Sequence, residues 1–270
     1  MVSFPNCKIN LGLNIVAKRD DGFHDLETIF YPLKIKEAVE VIEKENFQFS
    51  VSGLAIDGNI ENNLCTKAYQ VLKKEFPQLP PVHIHLHKAI PVGSGLGGGS
   101  ADGAFTLKLL NKKFGLSLSE KQLTWYALQL GSDCPFFIVN KPCFAKGRGE
   151  IFEHADIDLS PYKIVIVHPE IHISTAWAFS NIKPSLPATP LKDVIQQPIS
   201  AWKKELKNDF EEPVFSQHPK IKNIKDELYK RGAIYSSMSG SGSAVFGIFE
   251  KPKTFAFSFP TNYFVKELPG

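Results

Sequence analysis

A glycine-rich segment is the part of the sequence best suited to binding an anion. It runs from Pro91 to Ser100 and contains five glycines in the seven positions 93–99. Because glycine has no Cβ, a backbone rich in it approaches a ligand closely. Exposed N–H groups followed by a helix N-terminus form an anion site, and a nucleotide phosphate is the natural occupant. A flexible loop without function is a poorer explanation, because this segment lies between an alternating strand and a well-patterned helix.

Three familiar phosphate loops do not fit this segment. A G-x-G-x-x-G pattern begins at Gly93, but the acidic residue that a dinucleotide fold needs would be Glu120, in the first turn of a helix. A Walker A loop needs lysine after its last glycine, whereas Ser100 follows Gly99. The H-R-D and D-F-G motifs of protein kinases do not occur in the chain.

Hydrophobic periodicity and turn residues predict a mixture of helices and strands around the glycine segment. A strand is predicted at 82–86, where apolar residues alternate with histidines. Ser119 and Gln122 form a capping box that predicts a helix start. Four prolines between residues 183 and 198 predict a surface loop. The remaining predicted elements are a hairpin or meander at 39–41 and 47–51, helices at 64–76, 101–114, 119–130 and 221–230, and strands at 163–167 and 244–249.

The composition excludes several classes of protein. Hydrophobic residues make up 43% and charged residues 22% of the 270 residues, as in soluble globular domains. The net charge of +3 gives no electrostatic case for nucleic acid or membrane binding. No signal peptide or membrane-length apolar run is visible. The four cysteines show no C-x-x-C spacing, so we expect reduced thiols in a cytoplasmic protein.

The alternating histidines His83, His85 and His87 would project from one strand face, where a metal cluster is geometrically conceivable. No nearby cysteine or acidic residue completes such a site. We therefore expect a solvated strand face and no metal site.

The glycine segment resembles the Pro-x3-Gly-Leu-Gly-Ser-Ser-Ala phosphate loop of the GHMP kinases, with Pro91 and Gly95-Leu96-Gly97 in register. Gly98-Gly99-Ser100 replaces the usual pair of serines. That departure resembles the branch whose members phosphorylate a cytidine-diphosphate-linked methylerythritol. Four other segments are similar to motifs of the same branch, in the expected order: Cys7–Leu11, Arg19–Leu26, Asn208–Glu211 and Met238–Phe246.

The resemblance implies a fold and an activity. The fold is α+β, a two-domain GHMP kinase fold: an N-terminal ribosomal-protein-S5-like α/β domain at 1–152, which binds ATP, and a C-terminal ferredoxin-like α/β domain at 153–270. The activity is transfer of the γ-phosphate of ATP, with Mg²⁺, to the 2-hydroxyl of the methylerythritol moiety. The partners are these small molecules, without nucleic acid or membrane, and the chain would act as a monomer or homodimer.

Two other functions stay open at this point. Another GHMP kinase would act on homoserine, mevalonate or a sugar, none of which needs the base-reading element Asp21–His24. A non-catalytic RNA-binding protein would share the topology of the N-terminal domain, but the modest net charge and the glycine segment argue against it.

The resemblance also implies catalytic roles. Asp133 would be the catalytic aspartate, and Lys8 would lie near it and neutralise charge in the transition state. Without the resemblance, an aspartate after Gly-Ser is a turn or cap residue, and a lysine on a strand is exposed to solvent.

The remaining implied residues bind the substrates. Asn10 would position the acceptor, Phe23 would stack on the pyrimidine where many members have tyrosine, and His24 would hydrogen-bond to the base edge. Thr175 and Phe179 would also contact the cytidine, although Phe179 is equally explained as a core residue. Ser100 is the best candidate for a magnesium ligand. The implied ATP-binding residues are Asn63, Leu64, Lys88, Pro91, Val92, Gly93, Ser94, Gly95, Leu96, Gly97, Gly98, Gly99, Ser100 and Ala101, and Asn62 or Asn63 would also serve as an N-cap.

Overall fold

The computed structural model describes residues 1–56, 59–251 and 258–269. The strands in these ranges are β1 (Val2–Ser3), β2 (Asn6–Lys18), β3 (His24–Lys36), β4 (Ala38–Glu43), β5 (Gln48–Gly53), β6 (Val82–Lys88), β7 (Cys143–Lys146), β8 (Ile151–His154), β9 (Tyr162–His168), β10 (Tyr235–Met238), β11 (Val245–Glu250) and β12 (Phe264–Pro269). The helices are α1 (Leu64–Glu75), α2 (Gly98–Phe114), α3 (Glu120–Leu130), α4 (Cys134–Val139), α5 (Thr175–Ser180), α6 (Leu191–Ile195), α7 (Ile199–Glu205), α8 (Glu211–Gln217) and α9 (Pro219–Lys230).

The chain forms two compact units, each assembled from separate segments of sequence. The first consists of Met1–Cys7, Lys34–Val92 and Gly97–Lys141, and the second of Lys8–Leu33, Gly93–Leu96 and Pro142–Gly270. The second unit thus takes in two pieces of sequence that precede Pro142. A single domain boundary after residue 152 stays a prediction.

The first unit contains a four-stranded sheet in the order β1-β4-β6-β5. β4 pairs antiparallel with β6, and β5 pairs with β6 in parallel. Val39 and Val41 of β4 and Ile84 of β6 are buried, and α2 packs against α1 and β4. The predicted strands at 39–41, 47–51 and 82–86 are confirmed, whereas a hairpin joining the first two is wrong because β6 lies between them.

Several helix ends of the first unit lie at the predicted signals, but α2 begins at Gly98 rather than Ala101, and α4 was not predicted. Asn63 caps α1 by accepting a hydrogen bond from the Cys65 N–H, and α2 ends at Gly115, which has a left-handed backbone (φ 60°). At the start of α3, the Ser119 side chain and the Gln122 side chain each accept from the other residue's backbone N–H, so the capping box is confirmed.

The histidine face of β6 is bonded to its neighbour β5. Ser50 Oγ lies 2.7 Å from ring nitrogens of both His83 and His85, and Ser52 Oγ lies 3.0 Å from His85 and His87. These side chains are half-buried or exposed. Among the residues described, no group of three or more histidine, cysteine or acidic side chains is placed to hold a metal ion.

The second unit contains two four-stranded sheets, in the orders β2-β3-β7-β8 and β10-β11-β9-β12. In the second of these sheets β9 pairs antiparallel with both β11 and β12. An apolar cluster joins β2, β9, β11 and α9 through side chains that include Ile15, Val167, Leu228, Val245 and Phe249. This burial supplies the main stabilising contribution to the unit.

The proline-rich segment 183–198 is not only a surface loop. It contains α6, whose residues Leu191, Val194 and Ile195 are buried. Pro190 and Pro198 occupy the N-cap positions of α6 and α7, where a missing N–H costs no helical hydrogen bond. The prediction of an irregular loop is therefore wrong in this part.

Candidate functional site

The first half of the glycine segment, Gly93–Leu96, belongs to the second unit and is held there by hydrogen bonds. The backbone N–H of Lys8 donates to the carbonyl of Leu96 at 2.9 Å. The carbonyl of Gly95 accepts from Lys8 Nζ and from Ser239 Oγ, both at 2.9 Å. These bonds fix the backbone of this half of the segment.

Gly95 lies where the glycine segment contacts another glycine-rich turn, Ser239-Gly240-Ser241-Gly242-Ser243. Since it follows the glycine segment in sequence, this turn is called the second glycine-serine turn. Its backbone is left-handed (φ 80°), and a Cβ there would lie 2.0 Å from the Ser239 carbonyl oxygen. Next to it, the N–H of Ala244 donates to the carbonyl of Ser94 at 2.9 Å. Any side chain at position 95 would therefore force the two turns apart.

Lys8 and Asn10 lie on β2 and are both 2% exposed. Lys8 Nζ donates to Asn10 Oδ1 at 2.6 Å, and Asn10 Nδ2 donates to Thr28 Oγ1 at 2.9 Å. The ammonium also lies 5.3 Å from the centroid of the Phe30 ring. A solvent-exposed position for Lys8 is thus wrong, and the network fixes the direction in which its charge points.

Asn208 connects the second glycine-serine turn to the segment 208–211. Its Nδ2 donates to the carbonyls of Met238 (2.8 Å) and Gly240 (2.9 Å). Glu211 Oε1 accepts from the N–H of Met238 at 2.9 Å. Two motifs that are about 30 residues apart in sequence therefore form one structure inside the second unit.

The second half of the glycine segment is the first turn of α2, in the first unit. Gly97 is its N-cap with a left-handed backbone (φ 73°), and the N–H of Ala101 makes the first helical bond, to the Gly97 carbonyl. Backbone N–H groups in a helix's first turn have no partner within the helix, which favours an anion there. Burial raises the pKa of the Cys134 thiol to about 12, against the opposing effect of the Ser100 hydroxyl.

Lys88 is directed into the interior of the first unit. Its buried Nζ pairs with Glu37 Oε2 (2.7 Å) and Asp102 Oδ2 (2.8 Å). Glu37 Oε1 also accepts from the N–H groups of Ala89 (2.9 Å) and Ile90 (2.8 Å). This geometry does not support the predicted contact of Lys88 with a nucleotide, because buried carboxylates already neutralise its charge.

Asn63 and Leu64 lie at the start of α1, in the first unit. The Asn63 side chain accepts from the Cys65 N–H at 2.9 Å, which confirms the N-cap prediction, while Asn62 ends a short 3-10 turn. Contact of Asn63 and Leu64 with adenine stays a prediction.

Asp133 lies in the first unit, at the N-cap position of α4. Its side chain is half-buried and makes no capping hydrogen bond to the helix. Pro135 in the first turn of α4 fixes the exit of the chain. Asp133 therefore lies in a turn at an N-cap position, as expected of an aspartate after Gly-Ser, but without a side-chain capping bond, and its catalytic role stays a prediction.

The predicted cytidine-binding residues lie in the second unit. The rings of His24 and Phe179 stack, with centroids 5.0 Å apart and an interplanar angle of 22°. Phe23 is 47% exposed, and Thr175 Oγ1 lies 3.2 Å from Ser241 Oγ. Phe179 also packs against the apolar cluster, so its interpretation as a core residue is supported as well.

Several residues of this arrangement were not identified from the sequence. Ser239 and Asn208 lie in recognised motifs, but no role followed from the motif alone. Glu37 gives no sequence signal, because it lies 51 residues from Lys88. Arg148, whose guanidinium lies 3.6 Å from the centroid of the Phe23 ring, could have been noticed as a charged residue between two glycines.

Family models match both parts of the chain. The model for the GHMP kinases N terminal domain matches residues 63–141, and the model for the GHMP kinases C terminal matches residues 191–257. The first match contains the glycine segment and Asp133, and the second contains Asn208 and the second glycine-serine turn. The class of protein that this fold and site define is the GHMP kinases, and the predicted α+β fold class is confirmed.

Relatives and solved structures define the family more narrowly. The 4-diphosphocytidyl-2-C-methyl-D-erythritol kinase of Bacteroides fragilis is 55% identical over 253 residues, 92% of each chain. The protein of the same name from Parabacteroides distasonis is 50% identical over 255 residues, 94% of each chain. A crystal structure of 4-(cytidine 5'-diphospho)-2C-methyl-D-erythritol kinase superposes with a TM-score of 0.78 at 29% identity, covering 92% of this chain and 90% of that one. The chain therefore belongs to the 4-diphosphocytidyl-2-C-methyl-D-erythritol kinase family.

No helix in the described part of the chain is long and apolar enough to cross a membrane.

Proposed function

We propose that the chain is an ATP-dependent kinase that transfers the γ-phosphate to the 2-hydroxyl of 4-diphosphocytidyl-2-C-methyl-D-erythritol, in the formation of isoprenoid precursors. The observation that carries the proposal is the 2.9 Å contact between Lys8 Nζ and the carbonyl of Gly95. This contact places the segment Cys7–Leu11 against the glycine segment, so a buried positive charge lies beside the proposed phosphate loop. The chain's membership of the family, with 55% identity to the Bacteroides fragilis enzyme, supports this substrate.

Asp133 is the proposed acceptor of the hydroxyl proton. Phosphoryl transfer depends on an oriented hydroxyl, a group that takes its proton, and positive charge near the transferring phosphoryl group. A half-buried carboxylate that is not used as a helix cap is suited to the second task. Lys8 supplies the positive charge, and Asn10 holds the ammonium in place through the 2.6 Å bond. The pairing of Lys8 with Asp133 stays a prediction.

The triphosphate of ATP is proposed to bind along the glycine segment. The first turn of α2 offers backbone N–H groups and the positive end of a helix dipole. The contacts around Gly95 hold the other half of the segment in a fixed shape. Because Lys88 is neutralised within the first unit, we assign it to holding the start of α2 rather than to the nucleotide.

Magnesium is proposed to arrive with the triphosphate. The described residues contain no cluster of acidic or histidine ligands for a protein-only site. Mg²⁺ commonly keeps several waters and binds through substrate phosphates with few protein ligands, which fits a single hydroxyl such as that of Ser100. The ion would neutralise charge on the phosphates.

Phe23, His24, Thr175 and Phe179 are proposed to recognise the cytidine. Phe23 presents exposed aromatic surface for stacking, and the stack of His24 on Phe179 fixes the orientation of the imidazole. These four residues would hold a base by stacking and directed hydrogen bonds. Kinases that act on smaller substrates without a base do not need such a group. Cytoplasmic location and a monomeric or homodimeric state stay predictions.

The first test is ADP release in a coupled assay with ATP and Mg²⁺, comparing the cytidylated substrate with homoserine, mevalonate and galactose. We expect turnover with the cytidylated substrate. Turnover with another acceptor would keep the kinase class and remove the cytidine assignment. RNA binding without any ATP turnover would overturn the proposal.

The second test is Asp133→Asn, with Asp226→Asn as the matched control on the exposed face of α9. Loss of a general base lowers turnover by roughly a hundred- to ten-thousandfold. The control should keep wild-type turnover, and circular dichroism should show both variants folded. A folded Asp133→Asn protein with near-normal turnover would remove the base assignment.

A further inference from the structure

The turn between β7 and β8 carries an arginine that faces the proposed cytidine-stacking residue. The turn is Gly147–Glu150, and it closes through a 3.1 Å bond from the Gly149 N–H to the Lys146 carbonyl. Gly147 and Gly149 have left-handed backbones (φ 69° and 104°), which other residues rarely adopt. The two glycines therefore fix the direction in which Arg148 leaves the turn.

This turn is attached to the segment that contains Phe23. The N–H of Leu26 donates to the Gly147 carbonyl at 2.7 Å, three residues beyond Phe23. The Arg148 guanidinium carbon lies 3.6 Å from the centroid of the Phe23 ring, well inside the range of cation–π contacts. At such a distance the guanidinium covers one face of the ring.

The other end of the same segment is also ordered by charge. Asp21 Oδ1 accepts from the Phe23 N–H at 3.1 Å, and this bond is the main cause of a lowered Asp21 pKa, to which the positive charges of Arg19 and Arg148 add. Asp21 thus bonds to the backbone of Phe23, while Arg148 covers its ring.

We propose that Arg148 is a positioning residue for nucleoside recognition: its guanidinium covers one face of Phe23 and holds the ring so that the opposite face stacks on the pyrimidine. This inference rests on the proposed function and goes beyond it. Phenylalanine has no hydroxyl through which a neighbour could anchor the ring, and Phe23 remains 47% exposed. A planar cation is the contact that limits its motion while leaving one face open.

A direct role of Arg148 with the diphosphate of the substrate makes different predictions. A phosphate contact depends on positive charge, so lysine would retain clearly more affinity than alanine. A stacking contact needs the planar group, so lysine would behave like alanine. If Arg148 acts by stacking on Phe23, its replacement causes no further loss of binding once Phe23 has been removed. If Arg148 contacts phosphate, the losses of binding caused by the two substitutions add.

The experiment measures cytidine 5'-diphosphate binding by calorimetry for wild type, Arg148→Ala, Arg148→Lys, Phe23→Ala and the double variant Phe23→Ala/Arg148→Ala. Arg231→Ala, on the exposed end of α9, is the matched control. We expect Arg148→Ala and Arg148→Lys each to weaken binding roughly five- to tenfold. The double variant should bind no more weakly than Phe23→Ala alone, and Arg231→Ala should bind as wild type.

Turnover of the cytidylated substrate separates this inference from the proposed function. We expect the Arg148 variants to raise its KM while kcat and the KM for ATP stay unchanged. If wild type turns over the substrate but the Arg148 variants bind cytidine diphosphate normally, the inference falls and the function stands. Rescue by lysine, or additive losses in the double variant, would assign Arg148 to the phosphates instead. Absence of both turnover and cytidine diphosphate binding in wild type would overturn both proposals.

Discussion

Two charged clusters show how differently the same side-chain chemistry acts in the interior and at the surface. In the first unit Lys88, Glu37 and Asp102 are almost completely buried, with ion-pair distances of 2.7 and 2.8 Å. In the second unit Arg19 pairs with Asp21 at 3.1 Å and Asp25 at 2.9 Å, but each of these side chains is more than a third exposed. The ion-pair distances in the two clusters are similar, but only the interior cluster is buried away from water.

Burial makes the interior cluster dependent on every member. It contains one cation and two carboxyl groups, so ionisation of both carboxyls would leave a net negative charge away from water. Burial, together with the negative charge of Glu37 and against the opposing effect of Lys88, raises the pKa of Asp102 well above its ordinary value. Glu37 accepts from Lys88 and from two backbone N–H groups, so it has more hydrogen-bond partners to lose than the single contact between Asp102 and Lys88.

Because the surface cluster is exposed, its ion pairs can be removed with little loss of stability. Water and salt screen exposed ion pairs, and such pairs contribute little to stability. What holds the turn at residues 19–23 is the backbone: the Arg19 N–H donates to the Phe23 carbonyl at 2.9 Å. The interior cluster therefore fixes the start of α2, whereas the surface cluster only adjusts a turn that is already formed.

The largest expected effect is that of Lys88→Met. Removing the cation leaves Glu37 and Asp102 buried without a counter-charge, which costs about 3–5 kcal/mol of stability. Urea unfolding followed by circular dichroism measures this loss. Lys222→Met, which removes a lysine from the exposed Lys222–Asp226 pair, is the matched control and should unfold like wild type. A Lys88→Met protein as stable as the control would show that the cluster is not needed.

The next effect separates the two carboxyl groups. Glu37→Gln removes a carboxyl group that pairs with Lys88 and accepts from two backbone N–H groups, for which we expect a loss of about 1–3 kcal/mol. Asp102→Asn replaces a carboxyl whose pKa is raised by burial with a neutral amide of the same shape and should cost less. The same urea measurement compares them, and a larger loss for Asp102→Asn would show that Asp102 is the more important partner of Lys88.

The pH dependence of stability tests the raised pKa of Asp102. Because the pKa of Asp102 is raised in the folded chain, its contribution is fully present below its ordinary value of 3.8 and is lost as the pH rises through the folded value. Wild type should therefore lose stability relative to Asp102→Asn as the pH rises above 3.8. A difference between the two proteins that stays constant as the pH rises would show that folding does not raise the pKa of Asp102.

The smallest expected effect is that of Arg19→Ala at the surface cluster. The pairs with Asp21 and Asp25 are screened, and the backbone bonds of the turn remain. We expect no measurable shift of the urea midpoint in either low or high salt. A shift as large as that of Glu37→Gln would mean that exposed and buried charges contribute alike in this protein.

The helices near the glycine segment were predicted well because their signals are local. The capping box at Ser119 and Gln122 and the glycine stop at Gly115 depend only on neighbouring residues. β2 was not predicted, although apolar and polar or glycine residues alternate from Cys7 to Ile15. Such alternation is typical of a half-exposed strand, whereas ten consecutive residues from Asn6 to Ile15 are buried, polar Lys8 and Asn10 among them.

The order of strands and the partners of charged residues could not be predicted in the same way. β6 enters the sheet between β4 and β5 although it follows them by about 30 residues. Lys88 precedes the glycine segment in sequence, and its position alone favoured a nucleotide contact. The carboxylates that neutralise it, Glu37 and Asp102, lie 51 and 14 residues away.

The family, the glycine segment proposed to bind phosphate and the local helix signals could be predicted from the sequence, because glycine spacing, motif order and caps depend on residues close together along the chain. Only the tertiary structure decided that Lys8 is buried against Gly95, that Lys88 is turned inward, and that Arg148 covers Phe23. These contacts join distant segments. Their geometry depends on how the apolar faces of whole strands and helices pack, and no local pattern encodes it.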